Sequence, residues 1–176
     1  AHTRRKNLLL RDLDELVNQQ LAKMLFANPQ RIDYYDRYQE IIDAYNAEQN
    51  RATIEKTFMD LMELASSLDT EQQRYVREGF SSDEELSVYD LLFSENLTKQ
   101  EIETIKKVSV DLLTKIKQQI AKLDHWTDKQ ETKAIVDNLI RKTLWQELPN
   151  SYDVSDIQTY QKKIYEYVYM RYPEVA

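Results

Sequence analysis

Between Arg31 and Asn46 the chain reads RIDYYDRYQEIIDAYN, and Asp33, Asp36, Glu40 and Asp43 follow one another at three, four and three residues. In a helix this spacing puts all four carboxylates on one face. Carboxylates gathered in that way can move protons, hold a divalent cation or meet a basic surface. Four like charges on one face also repel, by roughly 0.2–0.5 kcal/mol per pair. Asp33 and Asp36 recover part of that cost by lying near the helix N-terminus. The stripe therefore reads as a ridge facing solvent or a basic partner, ahead of catalysis or metal binding. The same segment puts Tyr34, Tyr38, Ile41 and Tyr45 on a second stripe, widened by Tyr35 and Ile42. That is the width of an ordinary core-facing side. Stacking of these rings on bases finds few cations to support it, since only Arg31 and Arg37 are interleaved.

Other chemistry-bearing sets are sparse. Glu131-Thr-Lys133 matches the Glu-x-Lys half of a nuclease site. That chemistry needs the pair on a strand with a further Asp to hold metal, whereas capping signals put these residues in the first turns of a helix. The two histidines, His2 and His125, form no pair at metal-ligand spacing, and His125 reads as a turn or helix-end residue. One glycine excludes a phosphate-binding P-loop and a dinucleotide fingerprint, both of which need several. With no cysteine, thiolate nucleophiles, disulfides and cysteine-zinc sites fall away, which fits a reducing compartment.

Two further sets are candidates for contact. Lys106, Lys107, Lys115, Lys117, Lys122, Arg141 and Lys142 concentrate positive charge in the second half and could meet phosphates. Their plain alternative is a solvated helix face interleaved with Glu101, Glu103 and Asp111. The closing YQKKIYEYVYMRY has Tyr160, Ile164, Val168 and Tyr172 on one stripe, with Tyr165 and Tyr169 on the next and Tyr167 beyond. A helix that is apolar most of the way round is either central or meets a partner. This makes Tyr165 and Tyr169 partner-binding candidates beside Asp33, Asp36, Glu40 and Asp43.

The elements that must position these groups are helices. One Gly and three Pro in 176 residues leave little for tight turns. Apolar residues recur at three and four residues over Thr3–Ala27, through the acidic segment, and over Thr53–Leu68. Asn28-Pro29 ends the first helix and opens the second. Start signals then predict helices at Thr70–Gln73, with a stop at Gly79, and at Ser82–Glu85, Thr98–Glu101, Thr127–Gln130 and Ser155–Gln158. The expected architecture is all-α, an irregular bundle of about eight helices with no sheet.

One domain over 1–176 is expected, with a possible division on charge. Residues 1–96 carry 11 Lys/Arg against 19 Asp/Glu, and residues 97–176 carry 13 against 12. The net charge of −7 argues against general nucleic-acid affinity, so any DNA contact is expected to be local. No apolar run is long enough for a membrane span. The chain opens on Ala rather than Met, which suggests a piece of a longer protein.

Several blocks in order, NPQRIDYYDRYQEIIDAYN, REGFSSDEELSVYDLL, DHWTDKQETKAIVDNLIRKTLWQELP and YEYVYMRYP, resemble the C-terminal helical region of the restriction (motor) subunit of type I restriction–modification enzymes. The resemblance runs from about Leu8 to Pro173. It implies a cytoplasmic bacterial or archaeal parent with an N-terminal nuclease and a helicase-like motor using ATP and Mg2+ to translocate and cleave duplex DNA. It implies that this region attaches the motor to methyltransferase and specificity subunits. No nuclease or ATPase motif of the family falls in these residues, so no catalytic, cofactor-binding or metal residue is carried over. The rival reading is a module that contacts the translocated duplex directly.

Overall fold

The computed structural model describes residues 2–174. Among the described residues it is all-α, with eight α-helices and no strand. They are α1 (His2–Ala27), α2 (Ile32–Ala47), α3 (Arg51–Gln72), α4 (Arg74–Arg77), α5 (Asp83–Leu92), α6 (Lys99–Ala121), α7 (Gln130–Glu147) and α8 (Val154–Arg171). The chain divides into two compact units, Ala1–Gly79 and Phe80–Ala176.

In the first unit α1 and α3 pack along each other and α2 packs on α3. Leu10, Val17, Leu21 and Met24 of α1 meet Ile54, Leu61, Leu64 and Leu68 of α3, with Tyr38 entering from α2. Each such fully buried leucine contributes about 1.5–3 kcal/mol relative to exposure. The tyrosine stripe faces this core as its spacing requires: Tyr38 is buried, and Tyr34, Ile41, Ile42 and Tyr45 pack against it half-buried. Tyr35, at the edge of the stripe, is exposed.

In the second unit α5 packs on α6, α6 on α7 and α7 on α8, and α8 returns to α5, so four helices enclose one core. Leu86, Leu92, Ile105, Leu112, Ile116, Ile140, Leu144, Ile164 and Val168 are fully buried there. α8 is the central kind of helix its sequence allows, burying Ile157, Ile164, Tyr167 and Val168.

A start signal marks a helix N-terminus where its side chain finds the backbone partner. Thr98 Oγ1 accepts from Glu101 N at 3.1 Å, and Glu101 Oε1 accepts from Thr98 N at 3.2 Å. Ser82 accepts from Glu85 N at 3.3 Å, but the Glu85 carboxylate returns to Ser81 N at 3.0 Å, one residue early. Asn28 caps a single 3-10 turn, Pro29–Arg31, that precedes α2. Three expected starts are corrected. Thr70 lies inside α3, its hydroxyl donating to Ser66 O at 3.1 Å, because the apolar face of α3 continues to Leu68 and the buried Glu71. Thr127 sits in a 3-10 turn, Trp126–Asp128, and α7 begins after Lys129 with no side-chain cap. The last helix begins at Asp153 rather than Ser155, since Asp153 and Asp156 cap reciprocally at 2.8 and 3.1 Å. Gly79 takes the left-handed backbone expected of it, at φ +85°.

The division at Gly79 cuts the charge differently from a division at residue 96. The first unit carries 11 Lys/Arg against 14 Asp/Glu and the second 13 against 17. Asp83, Glu84, Glu85, Asp90 and Glu95 belong with the lysine-rich helices, so each unit is mildly acidic.

Candidate functional site

The acidic ridge of the first unit is built as its spacing demands. Asp33, Asp36, Glu40 and Asp43 are all exposed along α2. Asp43 accepts a hydrogen bond from Gln39 Nε2 at 2.9 Å, and Arg37 turns away from the ridge to lie 5.8 Å from the centre of the Tyr34 ring. The reverse side of α2 fixes the ridge's direction: Tyr38 is buried and its hydroxyl donates to Asp14 of α1 at 2.5 Å. Burial, then the hydrogen bond to the Asp14 carboxylate, push the Tyr38 phenol far above its ordinary range. The ring therefore stays neutral and acts as an anchor.

A buried charge cluster was missed by sequence reasoning. Arg31, 2% exposed, donates from Nε to Glu71 Oε1 at 3.2 Å and from a terminal nitrogen to Met24 O at 3.3 Å. Arg74 grips the same carboxylate, with Nε at 2.9 Å from Oε2 and a terminal nitrogen 2.8 Å from Oε1. Burial works to raise the Glu71 pKa, but the hydrogen bonds and charges of Arg74 and then Arg31 outweigh it and hold the carboxyl below its ordinary range. The cluster ties the end of α1 and the turn before α2 to the end of α3. No local pattern announces it, because Arg31 and Glu71 are forty residues apart.

In the second unit the partner-binding candidates Tyr165 and Tyr169 converge on a residue of their own unit. Their rings stand edge-on to Trp126 at 6.1 and 5.8 Å between centres. Trp126 is fully buried and donates from its indole nitrogen to Tyr172 O at 2.7 Å. The pair thus braces the loop before α7 against α8, while Tyr169 keeps an exposed edge.

The basic candidates separate into two groups. Lys115 lies 2.9 Å from Asp111 and 3.1 Å from Glu147. Lys117 lies 2.7 Å from Glu84 and over the Tyr172 ring, and Arg171 approaches the same carboxylate. Glu84 is consequently held low: burial opposes ionisation, and the hydrogen bond and charge of Lys117, with the charge of Arg171, overcome it. Lys106 lies over the Tyr89 ring. By contrast, Lys107, Lys122, Arg141 and Lys142 are exposed. Arg141 and Lys142 line a shallow depression with Asn138, Gln146 and the half-exposed Trp145.

The described residues form no glycine-rich cradle of the kind a P-loop uses to hold ATP. The one glycine ends α4 and is followed by the buried Phe80, with no lysine beside it to reach a phosphate. Among the described residues no three His, Cys, Asp or Glu side chains converge as metal ligands would. Glu131 and Lys133 occupy the first turn of α7, with no strand to align them. His125 takes a left-handed backbone at φ 47° and stays exposed, with Nδ1 3.1 Å from Glu174. No helix among the described residues is long and apolar enough to cross a membrane.

Residues 1–172 match the family model described as type I restriction enzyme HindI endonuclease subunit-like, C-terminal. Neither the curated proteins nor the solved structures compared with the chain gave a match.

Proposed function

The chain belongs to the type I restriction enzyme HindI endonuclease subunit-like, C-terminal, family, and from that premise we propose that it is a non-catalytic assembly domain. In this reading it docks the DNA-translocating, DNA-cleaving subunit onto the methyltransferase and specificity subunits. ATP, Mg2+ and the nuclease chemistry belong to other parts of the parent enzyme. The observation that carries the reading is the ridge: four carboxylates held outward on α2 by a buried tyrosine anchor on its reverse side. Such a ridge gives a basic partner surface speed and register of docking. Replacing Asp36, Glu40 and Asp43 together by Lys is expected to weaken assembly with the methyltransferase complex by at least about tenfold, since reversed rim charges cost several kcal/mol when juxtaposed with like charge. Pull-down and calorimetry measure this, and circular dichroism checks the fold. Undiminished assembly of a folded triple variant would sink the reading.

A second reading, direct contact with the translocated duplex, is favoured by one observation. Arg141 and Lys142 stand exposed beside Trp145, and among the described residues no acidic side chain lines the same depression. Lys106, Lys115 and Lys117 are less suited to it, being engaged with residues of their own unit.

A further inference from the structure

The α1 and α3 pair carries a second apolar face, turned away from the core. Leu9 and Leu16 are 52% and 65% exposed on α1, and Phe58, Met59 and Met62 are 36%, 64% and 51% exposed on α3. Leu9, Ile54, Glu55, Phe58 and Met59 line a groove between the two helices. Further along the same seam Gln20 Nε2 donates to Asp69 Oδ1 at 2.9 Å, so α1 and α3 run in the same direction and the groove is bridged at that end.

Helix spacing extends the groove between these points. Leu9, Asp12 and Leu16 follow at three and four residues on α1, and Glu55, Met59, Met62, Ser66 and Asp69 at four, three, four and three on α3. Each helix thus offers an apolar ridge with carboxylates along it: Asp12, Glu55 and Asp69 are all exposed, against one further exposed cation, Lys23, seven residues beyond Leu16 on the α1 stripe. Arg51, at the open end, is held by Glu55 at 3.3 Å. Contiguous exposed apolar side chains of this size mark an interaction surface. Methionine side chains, unbranched and polarizable, adapt such a surface to a helix laid into it.

We propose that this groove seats an amphipathic basic helix of a partner protein. Its apolar anchors, at i, i+3 or i+4 and i+7, would pack on Leu9, Leu16, Phe58 and Met62. Its flanking Lys or Arg would face Asp12, Glu55 and Asp69. Charge selects this occupant: a second copy of the chain, at net −7, brings like charge to an acidic rim. The inference rests on the assembly reading but uses another surface. Tyr38 of α2 bonds Asp14, which lies about 200° round α1 from Asp12, so the α2 ridge and the groove face apart.

The test titrates the chain with three labelled synthetic peptides of about five turns. One is amphipathic with Leu/Phe anchors and Lys flanks, one has every Lys replaced by Glu, and one is a scramble of the first. Fluorescence anisotropy is expected to give the Lys peptide at least about tenfold tighter binding than either control. L16D and M62D, both at exposed positions, should each weaken it about tenfold with the thermal melt unchanged. D12K should narrow the gap between the Lys and Glu peptides. Equal binding of the three peptides, or indifference to L16D and M62D, overturns the proposal. So does self-association in sedimentation that L16D abolishes, which would make a second copy the occupant. Peptide binding that survives while the methyltransferase complex ignores the chain removes the assembly reading and leaves the groove standing.

Discussion

Glu71 shows how far one residue's environment departs from its type. A glutamate is mostly exposed in folded proteins, yet here it is buried and shared by two guanidiniums. Its pKa is held down, so the folded state takes up the proton later than the unfolded chain does. The stabilisation is therefore fully present above the ordinary glutamate value of about 4.3 and is lost as pH falls through the lowered folded value. Replacing Glu71 by Gln should cost about 3 kcal/mol at pH 7, because Arg31 then stays buried without its counter-charge. The difference between the two proteins should shrink as pH falls below about 4. Urea unfolding across pH measures both, and a pH-independent difference would show that packing rather than charge is lost. E40Q, on the exposed ridge, should change stability by less than about 0.5 kcal/mol.

At the scale of the element, four-residue start signals carried less information than helix periodicity. Thr98, Thr127 and Ser155 all stand three residues before a Glu or Gln, yet only Thr98 of the three caps a helix. The cap is decided by where the preceding chain is held. Trp126 is drawn into the core and tightens its turn, moving the start of α7 past Thr127. Tyr152 donates its hydroxyl to Leu92 O at 2.5 Å, which fixes the chain immediately before Asp153. Thr98→Ala should therefore lower stability by about 1 kcal/mol. Ser155→Ala should stay within about 0.5 kcal/mol, as an exposed site making no cap. Thermal denaturation of the two variants separates them, and an equal loss would return the cap to Ser155.

Over the whole molecule, charge is distributed by packing rather than by sequence halves. A cut at residue 96 separates Glu84 from Lys117 and Arg171, with which it pairs, and so creates an asymmetry that the compact units do not have. With both units acidic, the chain by itself should show little duplex affinity near 0.15 M salt. An anisotropy titration at about 0.05 and 0.15 M salt checks this. Binding with a log–log salt slope near −2, abolished in R141E/K142E, would favour the duplex-contact reading over assembly.

The all-α class, the tyrosine face of α2, the outward ridge of Asp33, Asp36, Glu40 and Asp43, and the family are legible from the order of residues alone. Those features follow from periodicity and from order along the chain, which are local properties. The remaining features come from packing between helices. Packing joined Arg31 to Glu71 across forty residues, turned Tyr165 and Tyr169 onto Trp126, and engaged Lys115 and Lys117 with their own carboxylates. It also left Leu9, Leu16, Phe58 and Met62 outside a core that their spacing alone would have admitted them to. Helical spacing reports which residues share a side, but which sides are covered depends on which helices become neighbours.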